Sequence, residues 1–311
     1  MKRKILIISF LLIIIKASAQ QDPEYTHYMY NMNIVNPAYA TGTQAMLDFG
    51  VLYRSQWAGI EGAPKTFNFF GHTSLTKKVE MGFSLISDDI GDGAKKEDNF
   101  YADFAYVLDL NATAKLSFGL KAGFTSFKTN FNGFQFESGG SSTDPAFEEN
   151  INNVFPNIGV GAYYFTDHYY LGLSAPNLLS SKHIEERAGI NAFGSEKIHM
   201  FFTGGYVFDL SNTFKLKPAF MSKIVAGSAI SLDVSANVLF NEKFELGASY
   251  RFDDSVSALM SIKISPTINL GYAYDYTTSN LGQFNSGTHE VFVLFNIDLL
   301  GKGYDKSPRF F

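Results

Sequence analysis

The stretch Ile230-Ser231-Leu232-Asp233-Val234-Ser235-Ala236-Asn237-Val238-Leu239-Phe240 is written in period two, with Ile230, Leu232, Val234, Ala236, Val238 and Phe240 on one phase and Ser231, Asp233, Ser235 and Asn237 on the other. Successive side chains of an extended strand point to opposite faces, so this segment has one face suited to hydrocarbon and one suited to water. The same texture runs from Ala45 to Asp298 in about fourteen stretches, and no apolar run in that span is long enough for a membrane helix. The pattern predicts an all-β protein: a transmembrane antiparallel up-and-down β-barrel of about 14 strands. A soluble β-sandwich also alternates and is the competing architecture.

The strands read as 46 to 56, 65 to 75, 79 to 87, 99 to 110, 114 to 127, 155 to 166, 168 to 175, 197 to 210, 213 to 225, 229 to 240, 243 to 252, 255 to 265, 267 to 276 and 288 to 298. Connection lengths agree with a barrel, in which short periplasmic turns alternate with long extracellular loops. Tight connections fall at Thr76 to Lys78, Leu110 to Thr113, Thr166 to His168, Leu210 to Thr213, Asn241 to Lys243 and Ser265 to Thr267. Longer ones run from Trp57 to Pro64, Ser87 to Asp98, Asn130 to Asn153, Pro176 to Glu196 and Thr277 to Ser286. An even strand number places both chain ends in the periplasm.

Residues 1–19 read as a signal peptide. Lys2, Arg3 and Lys4 precede the apolar run Ile5 to Ile15, and Ala17-Ser18-Ala19 places cleavage before Gln20. Residues 20–44 are then a periplasmic N-terminal segment, 45–298 the outer-membrane barrel, and 299–311 a periplasmic tail. The expected location is the outer membrane of a Gram-negative cell, with outer-membrane lipid as one partner.

Composition narrows the function classes. The chain has no cysteine, which excludes a lipidated N-terminus, a disulfide framework and thiol catalysis. Loss of Lys2, Arg3, Lys4 and Lys16 with the signal takes Lys+Arg from 25 to 21 against 30 Asp+Glu, so the net charge moves from −5 to −9 and no nucleic acid is expected as a partner. Seventeen Tyr and 31 Phe suit aromatic girdles at two membrane interfaces. Mean hydropathy is close to zero because half of each strand faces the lumen.

No catalytic, metal or cofactor site is expected. His27, His72, His168, His183, His199 and His289 lack HExxH or paired-ligand spacing, and no GxSxG elbow or P-loop occurs. The acidic stretch Ser138 to Asn153, with Asp144, Glu148 and Glu149, reads as a solvated outer loop. On the lumen phase lie Lys115, Lys121, Lys215, Lys217, Lys223, Glu245, Arg251, Lys263 and Asp275. Barrel closure makes the last strand a neighbour of the first and the thirteenth, which brings Arg54, Asp275 and Glu290 together near the outer rim. A charge-assisted latch at the seam is the expectation; three independently solvated charges are the alternative.

Before the barrel, Asp22-Pro23 and Asn36-Pro37 bracket a run rich in aromatics, amides and Met that includes Tyr25, Tyr28 and Tyr39. Two Asx-Pro turns read as ordered backbone, either a plug or a docking strip. That segment, followed by Tyr53-Arg54-Ser55-Gln56-Trp57-Ala58-Gly59-Ile60-Glu61-Gly62-Ala63-Pro64-Lys65-Thr66 and His72, resembles the PorP/SprF family of the type IX secretion and gliding machinery. Gly271-Tyr272-Ala273-Tyr274-Asp275-Tyr276 and Gly287-Thr288-His289-Glu290-Val291 resemble it too. One departure is Thr41 before Gly42, where the family usually runs Ala-Gly.

The resemblance implies a non-enzymatic outer-membrane component of the type IX secretion system, with no cofactor. Its implied partners are periplasmic secretion components and an exported adhesin bearing a C-terminal sorting domain. Candidate contact residues are Asp22, Pro23, Tyr25, Tyr28, Asn36, Pro37 and Tyr39 in the segment, and Trp57, Gly62 and Pro64 in the first outer loop, where a rigid cap is the other reading. The alternative function is an outer-membrane channel for hydrophobic or small polar solutes.

Overall fold

A computed structural model describes residues 24–41, 46–131, 150–179 and 197–299. Its strands are β1 (Met46–Ser55), β2 (Lys65–Ser74), β3 (Val79–Ile90), β4 (Lys95–Asp109), β5 (Lys115–Thr129), β6 (Asn152–Phe165), β7 (Tyr169–Asn177), β8 (His199–Tyr206), β9 (Phe208–Asp209), β10 (Phe214–Val225), β11 (Ser231–Phe240), β12 (Phe244–Arg251), β13 (Ser255–Ser265), β14 (Ile268–Thr277) and β15 (Thr288–Asp298). Each pairs antiparallel with its chain neighbour, and β15 returns to β1 over ten residue pairs, from Met46 opposite Asp298 to Ser55 opposite His289. The sheet therefore has no free edge. β8 and β9 are two halves of one strand, interrupted at Val207, whose amide donates to the His168 carbonyl at 2.7 Å. The closed wall thus has 14 strands.

The burial pattern is inverted relative to a water-soluble protein. On β5, Ser117, Lys121 and Thr125 point inward and are at most 3% exposed, whereas Phe118, Leu120 and Phe124 point outward and are 44–61% exposed. The outer surface is the hydrocarbon face, and the polar half of the alternation lines the interior. Rings gather near both rims. Tyr164, Tyr169, Tyr206 and Phe208 contact one another at the short-turn end, and Tyr250 packs on Phe252 at the other, the arrangement expected of interface girdles.

The strand ends joined by connections 56–64, 130–151, 178–198 and 278–287 lie on one rim, which by connection length is the extracellular one. Ser87 to Asp98 is not a long loop. β3 and β4 continue to a four-residue turn at 91–94, with Asp89 opposite Lys96 and Ile90 opposite Lys95. From Ser87 to Asp98 the inward positions Asp88 and Glu97 are acids and the outward ones include Asp89, Lys96 and Asp98, so this part of the hairpin carries no oily phase for a period-two reading to detect. Asp89 facing Lys96 supports the pairing there.

Candidate functional site

Residues 24–41 lie inside the barrel. Tyr28–Tyr30 form one 3₁₀ turn and Met32–Val35 a single helical turn, α1. Pro37 stops α1, and Asn36 before it takes the extended backbone (φ −140°, ψ 110°) that a residue preceding proline prefers. The Asn36 side chain then makes a local turn, accepting from the Ala38 amide at 2.9 Å, and donates to the Ala162 carbonyl of β6 at 3.0 Å. Tyr25, Tyr28, Met32, Val35, Ala38 and Ala40 are buried in one cluster with the inward-facing Leu52, Phe70, Tyr163, Phe165, Tyr170 and Phe292. The hydrophobic core of this barrel is thus the contact between its wall and its own N-terminal segment.

Charge pins that segment along its length. At the extracellular end, Glu24 pairs with Lys223 of β10 and with Arg251 of β12, the latter at 3.1 Å. Arg251 also grips Asp233 of β11 bidentately at 2.8 and 3.0 Å. Just below, Arg54 of β1 donates to Asp275 of β14 at 2.8 Å and to Glu290 of β15 at 3.0 Å, and it is 2% exposed. These carboxylates also receive the segment. Thr26 donates its hydroxyl to Asp275 at 2.8 Å and its amide to Glu290 at 3.0 Å, and the His27 amide donates to Glu290 at 2.7 Å. Midway, Lys121 of β5 bridges Asp103 of β4 at 2.9 Å and donates to the Asn33 carbonyl at 3.1 Å. At the periplasmic end the Thr41 amide donates to Glu80 of β3 at 2.7 Å.

Two wall glycines make room for the segment, one for its backbone and one for the Asn36 side chain. A Cβ on Gly119 of β5 would sit 2.2 Å from the Ala38 nitrogen and 2.3 Å from the Pro37 carbonyl carbon. One on Gly161 of β6 would sit 2.1 Å from the Asn36 side-chain oxygen. Both lie on the lumen phase of their strands, where a missing side chain marks the close approach of another backbone.

Burial disfavours a charged Glu24, yet the Arg251 guanidinium and the Lys223 ammonium outweigh it and hold the carboxyl down to about 2. A folded-state pKa below the unfolded value means that the anchoring energy is fully present above about 4.5 and is lost as pH falls through about 2. Residues 24–41 should therefore resist pepsin at pH 5 and become cleavable, at Tyr25 or Tyr28, as pH drops from about 4.5 towards 2. The Glu24→Gln protein should be cut across that range, with a shallower dependence on pH. A wild-type profile that coincides with that of the variant would remove Glu24 as an anchor.

The sequence-derived candidates are distributed as follows. Arg54, Asp275 and Glu290 meet in one cluster. Tyr25, Tyr28, Asn36 and Pro37 are buried and Tyr39 half-buried against the lumen wall, so they offer no periplasmic docking strip. Of the two readings of 20–44, plug or docking strip, residues 24–41 take the first, and their place is the lumen rather than the periplasm, because their apolar and amide side chains pack on the inward phase of the strands. Asp22 and Pro23 lie outside the described residues, as do residues 138–149 of the acidic outer stretch.

The first outer loop is held on several sides. Trp57 takes a positive φ of 46° and its amide donates to the Thr288 hydroxyl at 3.1 Å; the Pro64 carbonyl accepts from the Gln56 amide at 3.0 Å. Gly62, at φ 71°, accepts from the Gly91 amide at 2.8 Å. The sequence reading missed Glu24, Thr26, His27, Lys121 and Glu80 as members of the site. A signal was present in Gly119 and Gly161, glycines on the inward phase of their strands.

No curated protein matches this chain. Among solved structures, a Pseudomonas aeruginosa FadL homologue is 10% identical, with a TM-score of 0.53 over 91% of this chain and 96% of that one. The Acinetobacter baumannii outer membrane protein Omp33 is 8% identical, with a TM-score of 0.47 over 82% of this chain and 100% of that one. The first shares the barrel fold, and the protein is an integral outer-membrane barrel. A family model described as type IX secretion system membrane protein PorP/SprF matches residues 17–295, which include the whole lumen segment and nearly the whole wall. The chain belongs to that family.

Proposed function

We propose that this protein is a non-enzymatic anchor of the type IX secretion system, closed to solutes, that assists the export or surface attachment of a partner adhesin through protein contacts. The supporting observation is that residues 24–41 run through the lumen from one mouth towards the other, pinned at Glu24, Thr26, Asn33 and Thr41. A barrel so filled serves poorly as a conduit and well as a rigid post. The periplasmic face left for secretion components is then the rim of short turns at 75–78, 110–114, 166–168, 210–213 and 241–243. The outer loops receive the adhesin and its C-terminal sorting domain.

Two measurements test this reading. Purified protein in liposomes should leave them impermeable to small sugars, and deletion of the gene should abolish surface display of one or a few large proteins while small-solute uptake continues. Swelling of the liposomes with normal adhesin display in the deletion strain would favour the channel for hydrophobic or small polar solutes instead.

A further inference from the structure

The direction in which residues 24–41 traverse the lumen determines where the chain ahead of them goes. Thr41 sits on Glu80, two residues into β3 from the periplasmic turn 75–78. Tracing back towards the N-terminus, Ala38 lies at Gly119 and Asn33 at Lys121, both midway along β5, and Thr26 lies at Asp275 and Glu290 near the outer rim. Glu24 comes last, on Lys223 and Arg251. Lys223 is two residues short of the end of β10 and Arg251 is the final residue of β12, and both strands end there at the extracellular rim. The segment therefore enters at the outer mouth and descends.

We infer that the chain ahead of Glu24 leaves the barrel through its extracellular mouth, so that the N-terminal end of the processed protein is a surface element rather than a periplasmic one. With cleavage before Gln20, four residues precede Glu24, and an extended chain of that length reaches no further than roughly 14 Å. The apolar band of an outer-membrane barrel is about 25 Å tall. A return to the periplasm would also have to pass through a lumen already filled by residues 25–41 and the side chains packed on them. The outlet nearest Glu24 is the rim at connections 226–230 and 252–254, which follow Lys223 and Arg251. There a partner outside the cell can reach the end of the segment that fills the barrel, which gives the extracellular face an interaction point besides its loops. The inference rests on the path of residues 24–41 and on cleavage before Gln20, and stands or falls independently of the adhesin reading.

The absence of native cysteine makes the test direct. Full-length protein carrying Gln21→Cys is labelled in intact cells with a membrane-impermeant maleimide, beside Ser228→Cys on the outer connection and Ser307→Cys in the tail. Cys at 21 should react in intact cells to the same extent as Cys at 228, whereas Cys at 307 should react only after the outer membrane is permeabilised. Asp22→Cys repeats the measurement at a second position. A thiol at 21 or 22 that reacts only after permeabilisation, or in neither state while Cys at 228 reacts, overturns the inference.

Discussion

Replacing Arg54 with methionine should destabilise the barrel by about 3–5 kcal/mol and free the outer half of the lumen segment, because it leaves two buried carboxylates facing each other without their cation. Arg54 is the only cation bonded to both Asp275 and Glu290 among the contacts described, at 2.8 and 3.0 Å, and it also donates to Thr26 at 2.9 Å. A well-packed apolar replacement of the whole cluster is a different experiment, since the net value of a buried ion pair over hydrocarbon is small. The cost arises from removing one partner alone. Adding Glu290→Gln to Arg54→Met should therefore restore part of the loss, and the two changes should be non-additive by about 0.5–3 kcal/mol, as expected for groups in one network. Thermal unfolding in detergent, followed by the mobility shift between folded and heated barrel on a gel, reads the stability. Limited proteolysis between Thr26 and Asn33 reads the release. If Arg54→Met unfolds at the wild-type temperature and its segment stays uncut, the seam cluster is not what anchors residues 26 and 27.

The second large effect is expected at Gly119, where Gly119→Leu should expel the Asn36-Pro37-Ala38 turn and open the lumen. The atoms in the way are backbone, with the Ala38 nitrogen at 2.2 Å and the Pro37 carbonyl carbon at 2.3 Å from the new Cβ position, so no rotamer change relieves the clash. Overpacking of a filled core typically costs about 1–3 kcal/mol. Here the strain falls on a segment that is joined to the wall by side chains rather than by a sheet ladder, so the segment should move and the wall should not. Planar-bilayer recordings should change from a quiet baseline to discrete currents, and circular dichroism should retain its β signature. Ala122→Leu, on the same strand with its side chain facing lipid, should keep both the quiet baseline and the β signature. Quiet recordings from Gly119→Leu with the segment still protected would mean that the groove yields and that the close approach at this glycine is not required.

Most of the wall was legible in the sequence, for a physical reason. A strand with lipid on one side and a polar lumen on the other must alternate, and the alternation needs no knowledge of any neighbour. Arg54, Asp275 and Glu290 were legible too, because period two gives the facing of each residue and the connection pattern gives its height. Ser87 to Asp98 was misread because both phases of the β3–β4 hairpin are polar there, with Asp88 and Glu97 on one and Asp89, Lys96 and Asp98 on the other, and the alternation disappears. Which of the two readings of residues 24–41 holds, plug or docking strip, and the path they take were not legible. Their amides, aromatics and prolines announce order, but a filler that adopts turns instead of strands has no period, and its partners lie far away in the chain: Thr26 meets residue 290, Asn33 meets residue 121, and Asn36 meets residue 162.

By itself, then, the sequence determined which side chains face lipid, that the strands form a barrel of about fourteen, and where the seam charges sit, since each follows from local alternation and chain order. Only the tertiary structure decided that the barrel is filled by its own N-terminal segment, that this segment descends from the outer mouth, and that the seam charges serve as its socket. Those facts depend on surfaces that exist only after the sheet has closed, when a glycine on one strand, a lysine on the next and an acid across the lumen first come within reach of the same backbone.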